Sequence, residues 1–191
     1  MNIIKNTIQY DYLIKLLILG KESIGKTKFL KRIELFDDYK SFKEICRNYL
    51  TTIGIDFRVF AIKYNNKIFK FQLWDTAGQE RFSINYKIYY KSAYSFLIFY
   101  NALDKESFHK AIALYKKAIK INDKAIYFLV RSKYDLSCNS EKNEIVSDEE
   151  ALKFADENNL YFAHISSFEK NENGIKDILE IILKEYNLRG K

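Results

Sequence analysis

Residues 13–27 read LIKLLILGKESIGKT, and this stretch decides the fold. Its first part, residues 13–19, is a compact apolar run typical of a strand buried on both faces of a sheet. Residues 20–27 then fit the pattern G-x-x-x-x-G-K-[ST], and residues 26–35 favour a helix. A strand, a glycine-bounded loop and a helix in this order predict a phosphate-binding loop, because the loop N–H groups and the helix N-terminus attract anions.

The side chains of this loop suit a nucleotide phosphate and its metal ion. Lys26 can reach the β- and γ-phosphates, and the Thr27 hydroxyl can coordinate Mg²⁺. A chance match on a strand–helix turn is the alternative, and the scarcity of glycine, 6 in the whole chain, counts against it. The candidate nucleotide-binding residues of the loop are Glu22, Ser23, Ile24, Gly25, Lys26, Thr27 and Lys28.

Outward from the loop, short apolar runs alternate with longer mixed segments. Asn65 and Asn66 are a turn signal between two strand-like runs and predict a hairpin. Ser147 and Glu150 form a capping box at the start of a helix. The element order β-α-β-β-α-β-α-β-α-β-α predicts an α/β fold with a mostly parallel sheet and one antiparallel hairpin. The further predicted strands are 56–64, 67–74, 95–100, 125–130 and 160–165, and the further helices are 105–120, 147–158 and 174–186.

Composition limits the class of protein. A chain of 191 residues, 48% hydrophobic and 30% charged, can bury a core and fits a single domain over 1–191, with residues 1–11 as a short N-terminal extension. The absence of proline excludes proline-rich and collagen-like architectures. The net charge of +7 is spread in single lysines, so we expect a solvated lysine surface and no nucleic-acid partner. Affinity for phosphates or anionic lipid is the alternative.

Cysteine usage and the termini bear on localisation. Cys46 and Cys138 are far apart and predict free thiols in a reducing compartment. No apolar run is long enough for a membrane span. Residue 2 is Asn and the chain as written ends without a cysteine, which excludes two common lipid anchors. We expect a cytoplasmic protein, or one peripheral on endomembranes, whose membrane association is only indirect unless a lipidated tail is missing.

A second motif, WDTAGQERF at residues 74–82, follows a predicted strand. Asp75 at the strand end can hold the Mg²⁺ shell through water. The N–H of Gly78 can turn toward a γ-phosphate, and Gln79 can orient an attacking water. The motif therefore predicts hydrolysis of a nucleoside triphosphate, with Gln79 as the catalytic residue.

Together the two motifs and the string TIGIDF at residues 52–57 resemble the Ras-superfamily small GTPases, most closely the Rab branch. The resemblance covers about residues 10–188 and implies a six-stranded sheet flanked by five helices. It implies that GDP and GTP exchange at one site, with switch I at 37–54 and switch II at 78–91. Thr52 matches the family's Mg²⁺-binding threonine, so the implied metal ligands are Thr27, Thr52 and Asp75.

The resemblance extends to recognition of the base. Residues 132–135, SKYD, are similar to the family's Asn-Lys-x-Asp, which implies that Asp135 accepts from the N1–H and 2-amino group of guanine. Lys133 would pack its stem along the base. Ser166 and Ser167 resemble the family's Ser-Ala-Lys. Ser132 completes the implied set of base-binding residues.

The implied partners are exchange factors, GTPase-activating proteins and effectors that contact the two switches of a monomer. Phe57, Trp74 and Tyr89 match an aromatic triad that effectors of the Rab branch read. Ordinary core aromatics are the alternative, because 16% of the chain is aromatic.

Several residues depart from the family pattern. Glu22 brings a carboxylate near the γ-phosphate, so a hydrolysis-impaired pseudo-GTPase that acts as a nucleotide-bound scaffold stays the alternative to an active GTPase. Arg131 stands where glycine is common. The aromatic that stacks on guanine is either Tyr39 or Phe42. A small phosphoryl-transfer kinase is disfavoured, because no arginine-rich lid segment is present.

Overall fold

The computed structural model describes residues 2–4, 9–34, 55–76, 86–133, 146–166 and 173–189. These ranges hold seven strands of one sheet and five helices. The strands are β1 (Asn2–Ile4), β2 (Tyr12–Gly20), β3 (Ile55–Tyr64), β4 (Lys67–Thr76), β5 (Ser95–Asn101), β6 (Ile126–Ser132) and β7 (Tyr161–His164). The helices are α1 (Lys26–Glu34), α2 (Tyr86–Ser92), α3 (Lys105–Ile119), α4 (Asp148–Glu157) and α5 (Asn173–Leu188).

Strand β2 is the centre of the sheet, and its alternate side chains enter two separate cores. Leu16 and Ile18 belong to one core, and Leu17 and Leu19 belong to the other. Because both faces are covered, the inner part of the strand is a continuous apolar run instead of an alternation with polar residues. The prediction of a two-sided buried strand at this position is confirmed.

The sheet order is β1-β3-β4-β2-β5-β6-β7. Strand β2 runs parallel to both β4 and β5, and β6 continues the parallel set to β7. Strands β3 and β4 form the antiparallel hairpin, with Asn65 and Asn66 in the left-handed region at φ values of 48° and 60°. The predicted α/β class, the mostly parallel sheet and the hairpin are confirmed.

Strand β1 adds a seventh strand that sequence reasoning did not predict. Asn2, Ile3 and Ile4 pair antiparallel with residues of β3 at the outer edge of the hairpin. The sequence pattern assigns these first residues to an N-terminal extension, because a three-residue strand carries too little pattern to be recognised.

Helices cover both faces of the sheet. Helices α1 and α5 pack on one face, where Phe29 and Leu179 belong to the same buried cluster. Helices α2, α3 and α4 pack on the other, where Tyr90, Phe108 and Ala151 share a second cluster. The parallel strands all end at one edge of the sheet, the edge at which ligands bind in open α/β sheets.

Side-chain caps begin the two helices that flank this edge. Asp104 accepts from the Ser107 N–H at 3.1 Å at the start of α3. Ser147 accepts from the Glu150 N–H at 3.1 Å at the start of α4, so the predicted cap is confirmed. Each cap satisfies an N–H that has no partner within its own helix.

Gly174, in the first turn of α5, offers a test of how closely this helix approaches the sheet. A Cβ at this position would fall on the carbonyl oxygen of His164, at the end of β7. We expect Gly174→Ala to lower the free energy of unfolding by roughly 1–3 kcal/mol, because backbone cannot yield as a side chain does. Asp177→Ala on the exposed face of α5 is the control, and urea unfolding measures both. Equal stability of the two variants would contradict the close approach.

Candidate functional site

The site lies where the parallel strands end. Gly20 is the last residue of β2, Asp75 lies one residue before the end of β4, and Ser132 ends β6. Ser166 follows shortly after β7. Since β2, β4, β6 and β7 belong to one parallel set, the fold brings these four positions to the same edge of the sheet.

The phosphate loop begins with a turn that requires glycine. Gly20 has a φ of +146°, and a Cβ there would lie 2.8 Å from the Phe99 carbonyl oxygen of the neighbouring strand. Ser23 and Gly25 also have positive φ values, 58° and 111°. A chain of this shape turns successive N–H groups inward, which makes a concavity for anions. Helix α1 begins directly after it and adds its positive N-terminal end.

Lys26 is the first residue of α1 and lies across the loop. Its side chain is buried, with 5% of its surface exposed. Its Nζ donates to the carbonyl oxygens of Gly20 and Lys21, at 2.9 Å each. These bonds hold the ammonium group against the backbone at the start of the loop. Ile24 is buried in the core beneath, whereas Glu22 and Ser23 are exposed.

Thr27 and Asp75 meet, although they come from different motifs. The Thr27 hydroxyl donates to Asp75 Oδ2 at 2.6 Å, and Asp75 is fully buried. The pairing follows from the sheet, because Ile18 of β2 lies in register with Asp75 of β4. A hydroxyl and a carboxylate side by side supply the hard oxygen donors that Mg²⁺ prefers.

A second contact ties the loop to α3. Lys21 Nζ lies 3.0 Å from Asp104 Oδ2 and 2.6 Å from Glu106 Oε2, so one ammonium group bridges two carboxylates. Asp104 is also the cap of α3. The loop is therefore fixed to the β5–α3 unit twice, through the close approach at Gly20 and through this ion pair.

The ionisation of this pair is stable over a wide range of pH. Hydrogen bonds to Glu106 and to Asp104 raise the pKa of Lys21 above its usual 10.5. Burial alone would raise the pKa of Asp104, but hydrogen bonds from Lys21 and from the Ser107 N–H outweigh it and hold the pKa below 3.8. A lowered carboxyl pKa contributes stability that is lost only in acid, and a raised ammonium pKa contributes stability that is lost only in alkali.

The segment predicted to bind the base is held by buried contacts. The Ser132 hydroxyl donates to the Tyr100 carbonyl oxygen at 2.9 Å, and Lys133 follows with a φ of 56°. Arg131, 1% exposed, pairs its guanidinium with Asp148 in the first turn of α4. The Arg131 carbonyl accepts from the Ile165 N–H at 2.8 Å, directly before Ser166. These contacts join the ends of β6 and β7 to α4.

The three aromatic residues singled out from the sequence form one cluster. The rings of Phe57 and Trp74 lie 4.7 Å apart, and those of Trp74 and Tyr89 lie 4.9 Å apart. Phe57 is 43% exposed, and the other two are half-buried. The cluster thus reaches the surface at Phe57, whereas Trp74 and Tyr89 also pack against the second core.

Several predicted site residues lie outside the described residues. They are Thr52, Gly78, Gln79, Asp135 and Ser167, together with Tyr39, Phe42 and most of both switch segments. Of the predicted nucleotide-binding residues, those from Glu22 to Lys28 are described, as are Ser132, Lys133 and Ser166.

The fold and the site define a phosphate-loop nucleotide-binding protein. The family model described as the Ras family matches residues 15–187. The chain is 37% identical over 173 residues to "Ras-related protein Rab-3A" of Homo sapiens, which covers 90% of this chain and 72% of the relative. It is 36% identical over 160 residues to "GTP-binding protein YPTM2" of Zea mays, and the match covers 83% of this chain and 73% of the relative. It is 35% identical over 163 residues to "GTP-binding protein ypt2" of Schizosaccharomyces pombe, and the match covers 85% of this chain and 76% of the relative.

The chain belongs to the Ras family. It is a Rab-like small GTPase, which hydrolyses GTP, and this class of protein acts in membrane trafficking. The comparisons give no support to the alternative of a hydrolysis-impaired scaffold. In the part of the chain that the structure describes, no helix is long and apolar enough to cross a bilayer.

Sequence reasoning missed two residues that shape the site. Lys21 was an unassigned position of the loop pattern, and its partners Asp104 and Glu106 lie far along the chain. In the sequence, Arg131 stands out only as a departure from the glycine that is common at this position. In the structure, its guanidinium pairs with Asp148 and joins β6 to α4. A lone lysine or arginine gives no sequence signal for such a pairing, because the partner is set by the fold.

We expect Lys21→Gln to raise the rate of GDP dissociation by roughly two- to fivefold, because a half-exposed ion-pair network contributes modestly. A fluorescent GDP analogue measures the rate, and Lys184→Gln on α5 is the control. Glu106→Gln should have little further effect in the Lys21 variant. The ratio of the GDP dissociation rates of the variant and the wild type should be the same at pH 5 and pH 9. The pKa of Lys21 lies above this range and that of Asp104 lies below it, so both groups stay charged. If the effects of Lys21→Gln and Glu106→Gln on the dissociation rate add up in the double variant, the two residues do not act in one ion-pair network.

We expect Asp148→Ala to lower the free energy of unfolding by roughly 1–3 kcal/mol, because it takes this carboxylate away from a buried guanidinium. Glu149→Ala removes the same charge from the same helix turn and is the control, since Glu149 is exposed. Urea unfolding measures both. If the two variants lose equal stability, the effect comes from the helix dipole alone and not from Arg131.

Proposed function

We propose that the chain is a GTP/GDP switch in which the loop at residues 20–27 holds the phosphates and Mg²⁺. The observation that carries the proposal is the 2.6 Å contact between the Thr27 hydroxyl and Asp75 at the end of the loop. It joins two motifs that lie far apart in the sequence, and both are needed for phosphoryl transfer to water.

The residues present fit Mg²⁺. Thr27 Oγ1 would coordinate the ion directly, and Asp75 would act through water. Thr52 would be the third protein residue that binds the ion. When bound, the ion neutralises charge on the β- and γ-phosphate oxygens. The Thr27 hydroxyl proton points to Asp75 Oδ2, so the lone pairs of the same oxygen are turned away from the carboxylate and suit a cation.

Lys26 and the loop amides bind the phosphates. The Nζ of Lys26 donates to the Gly20 and Lys21 carbonyl oxygens. Its charge is thereby held in place before the ligand arrives, which lowers the cost of ordering the side chain on binding. Lys28 lies about one helical turn beyond Gly25 and contributes positive charge nearby.

Asp135 supplies the selection for guanine, with Lys133 beside the base and Ser166 and Ser167 at the guanine O6. The buried Ser132 hydroxyl supports this segment from beneath through Tyr100. A carboxylate that finds no N–H partner on adenine loses the hydrogen bonds that guanine provides, and this disfavours ATP.

Gln79 orients the water that attacks the γ-phosphorus. The water oxygen bonds to phosphorus, the bond from phosphorus to the bridging oxygen breaks, and GDP and phosphate leave. Gly78 donates its N–H to the γ-phosphate. Glu22, exposed beside the loop, adds negative charge near the reacting phosphate, so the intrinsic rate is slow and depends on an activating partner.

The output of the switch is the binding of effectors, which depends on whether GTP or GDP is bound. Effectors bind at the cluster of Phe57, Trp74 and Tyr89. Half-exposed aromatic residues beside a switch segment are typical anchors for a protein partner. Exchange factors and GTPase-activating proteins would contact the same switches of a monomer. We place the protein in the cytoplasm and peripherally on endomembranes, in vesicle transport.

The first experiment is to purify the chain without added nucleotide, denature it and identify the released ligand by ion-exchange chromatography. GDP is the expected result, because the site binds guanine and hydrolyses GTP. Adenine nucleotides would overturn the role of Asp135. Retained GTP would overturn hydrolysis without an activating partner, and protein that neither retains nor takes up nucleotide would overturn the proposal as a whole.

Trp74 is the single tryptophan of the chain and lies inside the aromatic cluster. We expect its fluorescence emission to shift when GDP is exchanged for a non-hydrolysable GTP analogue, because Tyr89 belongs to switch II and packs on it. Trp74→Phe should remove the signal and serves as the control. Identical spectra in the two nucleotide states would contradict a switch that reaches the cluster.

A further inference from the structure

The positive charge of this chain is concentrated in one stretch, residues 86–124. Residues 86–124 contain eight lysines against three acidic residues, a net charge of +5 out of +7 for the whole chain. Residues 146–159, which include α4, contain one lysine against five acidic residues, a net charge of −4. The expectation that the positive charge is spread along the chain overlooks this stretch, because most of its lysines stand as single residues.

Helices α2 and α3 lie side by side. They pack on the same face of the sheet, and Lys117 Nζ of α3 lies 6.0 Å from the centre of the Tyr90 ring of α2. Helix α4 lies against the other flank of α3, where Tyr115 and Phe154 are 5.8 Å apart. Helix α3 thus lies between α2 and the acidic α4.

The exposed part of this surface is defined by six lysines, which we call the lysine face. Within α3, Lys105, Lys116 and Lys120 recur at helical spacing on the outer side. The members of the lysine face are Lys87, Lys91, Lys105, Lys116, Lys120 and Lys124, all exposed. Two of the three acidic residues of this region, Asp104 and Glu106, are paired with Lys21 at one end of α3. Their charge is partly neutralised there.

We propose that the lysine face docks the folded domain on an anionic lipid surface, with Ile88 at the contact. Ile88 is 63% exposed and lies between Lys87 and Lys91. Each lysine near such a surface adds a similar increment of attraction, and α3 alone presents a front about 22 Å long.

The choice of lipid over a protein partner follows from the residue type. Residues 86–124 contain no arginine. Protein interfaces are enriched in arginine and depleted in lysine, because the guanidinium group makes directional, paired hydrogen bonds. A row of flexible ammonium groups instead suits a fluid surface whose negative charges can rearrange.

The test uses the GDP-loaded full chain and two kinds of vesicle, one of phosphatidylcholine alone and one that contains roughly 30 mol % phosphatidylserine. Co-sedimentation measures binding at low and high salt. We expect binding only to the anionic vesicles and loss of binding as salt rises. Lys116→Gln, Lys120→Gln and Lys124→Gln together should weaken the binding on the order of tenfold or more.

Two control variants separate the lysine face from net charge and from misfolding. Lys153→Gln, Lys176→Gln and Lys184→Gln together remove the same charge from exposed positions on α4 and α5 and should bind nearly as the wild type. Lys116→Arg, Lys120→Arg and Lys124→Arg together keep the charge, and this variant should also bind. Retention of GDP and the melting temperature verify that each variant is folded.

Three results would overturn the proposal. The first is equal binding to the two vesicle types, or none to either. The second is an equal loss in the two glutamine triples, which would mean that net charge alone acts. The third is tighter binding to soluble polyglutamate or to a single-stranded RNA than to the anionic vesicles, which would assign the face to an acidic protein or a nucleic acid.

Discussion

The end of β2 at Gly20 is the constraint on which the site depends. The strand lies so close to the Phe99 carbonyl of β5 that a side chain has no room, and its φ of +146° is one that other residues rarely adopt. From this point the chain must reach the first turn of α1 within residues 21–25. Because this connection is short, the loop turns inward, Lys26 lies over it and Thr27 lies next to Asp75.

The surrounding fold keeps this turn in place from several sides. Ile24 anchors the loop in the core beneath it, and Lys21 ties it to the start of α3. On the far side, Arg131 joins the segment that ends β6 to α4. Each contact is modest, but they attach the phosphate and base segments to different helices on one rigid sheet. We therefore expect ligand affinity to depend also on residues that do not touch the ligand.

Much of this could be predicted from local sequence patterns. The apolar run of β2, the asparagine turn of the hairpin and the Ser147 cap each depend on a few neighbouring residues, and all are confirmed. What failed was non-local. Strand β1 is too short to carry a pattern, the partners of Lys21 and Arg131 are distant in the sequence, and the lysine face forms only when α2 and α3 are packed together.

Strand β1 has a consequence for how partners can approach the hairpin. Its three residues cover the outer edge of β3 at Ala61, Ile62 and Lys63. A partner that extends the sheet by adding its own strand at this place has to displace β1 first, so main-chain pairing with a partner competes with pairing to β1. A partner that binds through side chains at the aromatic cluster does not pair with this edge, so β1 favours recognition through side chains over addition of a strand.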